Sequence, residues 1–362
     1  MAKMSSPIPA FLISYTDSSF TNPHEVLRAD EPENRKGTFT HMGARFWGFE
    51  SKRHKATTMD TKEQRFRFDH DAHDTLVIGF TAPAKISNIT VSTRWFTGNQ
   101  VPCISVAFFS GQQWTTVLER VTLSPDQNHT FDIDLTEATE CQVRCYHEGG
   151  ISRINFFGEL HADQPTRINL LETAHISRIS NDHYGKPLDA VKGRREVDYM
   201  FGWESARTGF GEQALFTLAE PQVIDEIIVD TYLHRLNPPL SCHAFGLAVD
   251  NSTDLDASFA RRPRWSIRFD DGTLVIPDNF QDYMLNAQFL LEPVSNTRQF
   301  SIALHQPTDS PWQPLLMFGA LSADTYHRFT DIEYSGPVSD ILYMHYPNGG
   351  IHGLKMFSRE VT

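Results

Sequence analysis

Ile86-Ser87-Asn88-Ile89-Thr90-Val91-Ser92-Thr93 alternates side-chain character and is rich in β-branched residues. Period-two alternation of this kind marks a half-buried β-strand. The same grammar returns as Ile224-Asp225-Glu226-Ile227-Ile228-Val229-Asp230-Thr231. Each copy follows a short apolar segment and a proline, Leu76 to Phe80 with Pro83 and Leu215 to Leu218 with Pro221. Each is followed at the same distance by an asparagine, Asn99 or Asn237. Gly48-Phe49-Glu50-Ser51 returns as Gly202-Trp203-Glu204-Ser205, and Tyr146-His147-Glu148-Gly149-Gly150-Ile151 returns as Tyr346-Pro347-Asn348-Gly349-Gly350-Ile351. Trp114 and His129 stand at the same separation as Trp312 and His327. So many marks in one order identify a duplicated module.

The remaining strand signals agree. Thr75 to Phe80, Ser105 to Phe109, Cys141 to Tyr146 and Ile151 to Leu160 are short apolar or alternating runs between polar turns. Few stretches carry a helical period. The pattern predicts an all-β chain of tandem duplicated antiparallel β-sandwich domains. The domains are expected at 1–165 and 172–362, with a linker near Ala162 to Thr173. The copies differ by two insertions, a polar stretch after Lys55 running through Asp71 and a long one between Cys242 and Trp312. The second holds Trp265 to Phe269 and Leu274 to Ile276 around Asp270-Asp271-Gly272, a hairpin-like pattern. It is expected as a β-rich arm at about 250–308, carrying its own structure or serving as a lid or contact arm.

A formal charge of −13 leaves no basic excess to neutralise phosphates, which argues against a nucleic-acid partner. No apolar run is long enough to span a membrane, so no membrane partner is expected. Cys103, Cys141, Cys145 and Cys242 have no CxxC spacing and read as free thiols in a reducing compartment. The start of the chain lacks the pattern of a secretory signal, so the cytoplasm is the expected location.

The chemistry-bearing residues gather at the repeated marks. In Gly48 to Lys55 an acidic residue precedes Lys52, Arg53, His54 and Lys55. Strand alternation would put Glu50, Lys52 and His54 on one face and Ser51, Arg53 and Lys55 on the other. Such a group can hold a carboxylate and set a general acid beside it. The bland alternative is a solvated charged turn, weakened by the repetition of Gly-aromatic-Glu-Ser with Arg53 and Arg207 in matching positions. The Gly-Gly pairs read as tight turns between strands. Beside them repeat 1 carries His147 and Glu148, a donor–base pair, where repeat 2 has Pro347 and Asn348. His73-Asp74 is a weaker orienting pair, and His129 and His327 are equally well read as structural. Glycine-rich phosphate loops and G-x-S-x-G are absent, so no cofactor is indicated. A divalent metal stays open as an alternative that would need ligands converging from distant strands.

Together these marks resemble the allantoicase family, whose members contain two related jelly-roll-like, galactose-binding-like β-sandwiches. Family text similar to Gly-Trp-Glu-Thr/Ser followed by arginines appears as Gly48 to Lys55 and as Gly202 to Arg207. Gly-His-Asp-Trp survives as Ala72-His73-Asp74-Thr75 and drifts to Gly211-Glu212-Gln213-Ala214. Val-Asp-Thr leading to Gly-Asn-x-Pro appears as Thr93 with Gly98-Asn99-Gln100-Val101-Pro102, and as Val229-Asp230-Thr231 with Asn237-Pro238-Pro239. Each repeat closes on its Gly-Gly turn, as the family does. The resemblance implies an amidinohydrolase that releases urea from allantoate or a related ureido or amidino acid. It also implies a homo-oligomer acting on a small anionic substrate. On that reading Glu50, His54, His147, Glu148 and Glu204 are the catalytic candidates. Lys52, Arg53, Asn99, Arg207, Asn237 and Asn348 are the substrate-binding candidates. Two alternatives remain: a diverged C–N lyase or hydrolase on another imino or amidino acid, and a non-catalytic module that binds an anion or carbohydrate.

Overall fold

Two units partition the chain, Met1–Pro165 and Thr166–Thr362. The computed structural model describes residues 6–17, 21, 23–40, 43–45, 47–161, 169–192, 202–206, 211–249, 254–276 and 300–358.

The first unit runs β1 (Ala10–Tyr15), β2 (Phe39–Thr40), β3 (Gly43–Ala44), β4 (Phe49–Glu50), β5 (Thr57–Asp60), β6 (Arg65–Phe68), β7 (His73–Ser92), β8 (Cys103–Ser110), β9 (Gln113–Thr122), β10 (Asn128–Tyr146), β11 (Gly150–Ile151) and β12 (Arg153–Leu160). Its main sheet follows the order β1-β7-β10-β8-β9, antiparallel throughout, with β12 also on β7. Two stretches that read as separate strands, Thr75 to Phe80 and Ile86 to Thr93, belong to the single long β7 apart from Thr93. Its register with β10 jumps from Gly79↔Glu140 to Ala84↔Ala138, so several residues around Pro83 oppose one. Proline offers no N–H to a ladder, and the irregularity accommodates it. Before the jump β7 pairs with β1; after it β7 pairs with β12. One strand thereby serves both layers of the sandwich. Leu76, Ile78, Ala84, Ile86, Ile89 and Val91 from both halves meet in one core.

The second unit contains β13 (His175–Ile179), α1 (Pro187–Lys192), β14 (Trp203–Glu204), β15 (Glu212–Gln222), β16 (Ile224–Asp230), β17 (Ser241–Ala248), α2 (Leu255–Ala260), β18 (Arg264–Phe269), β19 (Leu274–Val275), β20 (Phe300–His305), β21 (Trp312–Ala320), β22 (Tyr326–Phe329), β23 (Val338–Tyr346), β24 (Gly350–Ile351) and β25 (Gly353–Ser358). Here the two layers separate into β13-β15-β23-β17-β21 and β22-β16-β25. The break falls just beyond Pro221, the counterpart of Pro83.

The long insertion explains a change in the outer sheet face. Cross-strand register matches Phe245, Leu247, Leu342 and Met344 to Ala107, Phe109, Gln142 and Arg144 of the first unit. An apolar face needs cover. Phe259 of α2 and Trp265, Ile267 and Phe269 of β18 pack with Phe245, Leu247, Leu342 and Met344 in a second core. β18 pairs with both β19 and β20, so the described part of the insertion is a small sheet with a helix.

Duplication extends to a buried carboxylate. Thr16 Oγ1 donates to Asp74 at 2.7 Å, and Ser180 Oγ donates to Glu212 at 2.6 Å. The N–H groups of Thr75 and Gln213 both return to those hydroxyls at 2.9 Å. Asp74 therefore matches Glu212, one step away from the alignment the sequence suggests. Around Asp74 sits a cation: Lys55 Nζ reaches both Asp74 and Asp17, the latter at 3.0 Å. Burial opposes the charge on Lys55, but these two partners outweigh it and raise its pKa. Glu212 instead accepts from the Ser180 hydroxyl with neutral Ser205 and Asn181 nearby, and burial lifts its pKa from 4.5 to about 7 against these groups.

Two outcomes follow from this packing. A Cβ on Gly150 would meet the buried Phe96 ring at 2.1 Å, whereas one on Gly98 meets nothing. Gly150→Ala should cost roughly 1–3 kcal/mol of stability and Gly98→Ala far less, read by urea unfolding. Equal midpoints would refute the close approach. An acid with a raised folded pKa stabilises fully below its unfolded value, and that stabilisation is lost as pH rises through the folded one. Thermal unfolding between pH 4.5 and 8 should therefore show wild type losing roughly 3 kcal/mol relative to Glu212→Gln, at about 1.4 kcal/mol per pKa unit. Parallel curves would contradict it.

Candidate functional site

The site begins with a two-residue pairing. β4 lies antiparallel to β11, with Gly150 opposite Glu50 and Ile151 opposite Phe49. The Gly-Gly mark is thus not a hairpin turn: Gly149 ends the loop after β10, and Gly150 opens β11, which locks the Gly-aromatic-Glu-Ser mark in place. Ser51 N–H donates to Gly149 O at 3.1 Å, and Gly149 N–H donates back to Ser51 Oγ at 3.1 Å. A third segment joins from the loop after β7. Gly150 N–H donates to Asn99 O at 2.8 Å, and Asn99 Nδ2 donates to Glu50 Oε1 at 2.8 Å. Gly149, at φ +140°, would drive a Cβ to 2.5 Å from the Gln100 carbonyl, so only glycine lets these segments approach.

Glu50 is the buried member of the group, 6% exposed. Its Oε1 takes Asn99, while its Oε2 has no hydrogen-bond partner among the described residues. Burial raises its pKa, countered in part by Asn99 and by the charge of Arg53. A cavity of about 490 Å³ opens here, lined by Glu50, Arg53, His54, Asn99, His147 and Glu148 together with residues of β5 and β6. His54 and His147 both hold left-handed backbone, at φ +68° and +65°. Such conformations are costly for non-glycine residues and collect at functional sites. The His54 N–H donates to the Glu148 carboxylate, tying the loop after β4 to the residue after His147.

Six sequence candidates of the first unit therefore meet in one cavity. Lys52 does not join them: it is exposed, and its N–H donates to Asp17 at 3.1 Å. The expected face alternation fails because β4 ends at Glu50, so Arg53 and His54 share the cavity with Glu50. Sequence reasoning missed Thr57 and Phe68, cavity residues carried in by the polar insertion. The alternating Arg65-Phe66-Arg67-Phe68 was the available signal.

The second unit repeats the clasp. Asn237 Nδ2 donates to Glu204 Oε1 at 2.8 Å, and Gly350 N–H donates to Asn237 O at 2.9 Å. Asn348 Nδ2 turns to the Ala206 carbonyl at 2.6 Å. Arg207 lies outside the described residues. Pro347, with φ fixed by its ring, cannot copy the left-handed turn of His147. His234 takes the place of Phe96, packed where a Gly350 Cβ would stand. Burial lowers its pKa, opposed by Glu204 and Asn237.

His129 and His327 are structural in both units, stacked on Phe131 and Phe329 and bonded to Ser124 O and the Ser322 N–H. Among the described residues, no group of three His, Cys, Asp or Glu side chains is arranged to hold a metal ion. Among the described residues, no helix is long and apolar enough to cross a membrane.

Comparison with known proteins bears on the whole chain. A family model described as an allantoicase repeat matches residues 4–161 and 168–361. A protein of Pseudomonas paraeruginosa (strain DSM 24068 / PA7) named "Probable allantoicase" is 25% identical, with 96% of this chain and 92% of that protein covered. One of the same name from Pseudomonas fluorescens (strain SBW25) is 28% identical over 67% of this chain and 75% of its own length. The crystal structure of allantoicase from Saccharomyces cerevisiae is similar at 19% identity and a TM-score of 0.34, covering 98% of this chain and 92% of that one. With a repeat model matched in each unit, the chain belongs to the allantoicase family.

Proposed function

We propose that the cavity of the first unit hydrolyses allantoate, or a closely related ureido or amidino acid, with release of urea. One observation carries this reading: a buried Glu50, one oxygen held by Asn99 and the other unpaired, shares a cavity with Arg53, His54, His147 and Glu148. Family membership supports the same substrate class.

Allantoate carries a carboxylate and two ureido groups on one tetrahedral carbon. Hydrolysis breaks one C–N bond, and the departing nitrogen takes the bonding pair and a proton. The water hydroxyl ends on the carbon, leaving ureidoglycolate and urea. Arg53 suits the carboxylate, since its planar guanidinium matches two oxygens at once. Glu50 suits the proton donor, because burial favours its protonated form. His147 is assigned to water activation. Glu148 holds the His54 loop through its carboxylate and completes the polar wall.

The direct test is urea release from allantoate and a panel of ureido and amidino acids. Turnover of one of them is expected, with Arg53→Ala raising KM and Glu50→Ala lowering kcat by roughly 10²–10⁴-fold. Binding without turnover would favour a non-catalytic module. Unchanged turnover in both variants would place the site elsewhere.

Acidity supplies an independent check. If protonated Glu50 is the donor, activity falls as pH rises through its raised pKa. Asn99 lowers that pKa, so Asn99→Ala should move the falling limb of the kcat profile to higher pH. A limb that stays in place, or moves down, contradicts the assignment.

A further inference from the structure

The hairpin of β5 and β6 has two unlike faces. Cross-strand register sets Thr57 opposite Phe68 and Met59 opposite Phe66, on one side; Thr58 faces Arg67 and Asp60 faces Arg65 on the other. The charged side is self-contained: Arg67 meets Asp60 at 2.9 Å and Arg65 contacts Glu63. The apolar side runs into the cavity, where Thr57 and Phe68 form part of the wall. There the Phe68 ring stacks on the His147 imidazole, with centroids 4.9 Å apart and planes 19° from parallel. His70 meets Phe68 edge-on at 4.9 Å.

The hairpin is fastened to the residue it stacks upon. Asp69 N–H donates to Ala56 O at 2.7 Å and closes the hairpin base. His147's own N–H donates to Ala72 O at 2.8 Å. Arg120 bonds Asp71 and lies over the Tyr146 ring at 4.1 Å. Ring and imidazole are therefore held in one frame. Repeat 2 lacks the polar insertion and has Pro347 in place of His147, so within this chain the insertion and the imidazole both belong to repeat 1 alone.

We infer that Phe68 is a positioning residue that fixes the plane of the His147 imidazole. Glu50, Arg53, His54 and Glu148 line the same cavity as that ring, with His70 beside it. Backbone at φ +65° decides where the His147 side chain leaves the chain. It leaves the two side-chain torsions free, and the stack removes that freedom. The inference rests on the reading of this cavity as a hydrolytic site, where a base must be aimed within hydrogen-bond reach of water.

Three variants of the 362-residue chain test it. Phe68→Leu keeps an apolar wall without a ring, and Phe68→Tyr keeps the ring. Phe66→Leu alters the same hairpin face outside the cavity wall. In histidine-labelled protein, NMR should show the ring-current displacement of the His147 resonances lost in Phe68→Leu and retained in the other two. Against the hydrolysed ureido acid, Phe68→Leu should lower kcat roughly 10- to 100-fold, the scale of a small misplacement. KM should stay within about twofold, and Phe68→Tyr should restore kcat. A His147 resonance unmoved by Phe68→Leu overturns the inference, as does a loss in KM alone. If wild type turns over no ureido acid, the hydrolytic reading fails, and the resonance measurement still decides whether Phe68 orders His147.

Discussion

The hydrogen bond from Asn99 Nδ2 to Glu50 Oε1 is the contact on which the site depends. It joins a loop after β7 to a two-residue strand, while the Asn99 carbonyl accepts from Gly150 of β11. Three segments far apart in the chain thereby converge without a helix or a long sheet between them. Neutral–neutral hydrogen bonds contribute only about 1 kcal/mol each, and one to an ionised group somewhat more. Specificity comes from their number and from glycines that admit no side chain at the crossing. The clasp also sets the electrostatics of Glu50, since one oxygen is engaged and the other is left in a buried place without a partner.

Two copies of one clasp have met different fates. Around the first, a charged loop, a left-handed histidine and an inserted hairpin enclose a cavity. Around the second, Pro347 replaces His147, Asn348 turns to a backbone carbonyl, and His234 fills the space of Phe96. The buried carboxylates diverge in parallel. Asp74 keeps Lys55 as a partner, while Glu212 is surrounded by neutral donors and drifts toward protonation near neutral pH. Investment in the second unit went to its outer sheet face, which became apolar and gained a covering layer.

Much of this was legible in the residues. Alternation in Ile86 to Thr93 and its copy identified strands, and paired marks identified the duplication. Glu50, Asn99 and the Gly-Gly pair were each visible, but their mutual contact was not, because it depends on how distant strand ends cross. Face alternation failed at Lys52 since it assumed a strand that stops at Glu50. A proline suggested two strands where a local register jump keeps β7 continuous. Phe68 was hidden for a different reason. Insertions read as solvated loops unless their period is examined, and its period was that of a hairpin with one apolar face.

The central claim is that chemistry belongs to the first of the two clasps. Urea release by Glu50→Gln and by its counterpart Glu204→Gln, each beside wild type, tests it most directly. The account predicts that Glu50→Gln loses turnover by roughly 10²-fold or more while Glu204→Gln retains most of it. Equal losses in the two variants, or a loss confined to Glu204→Gln, would contradict it.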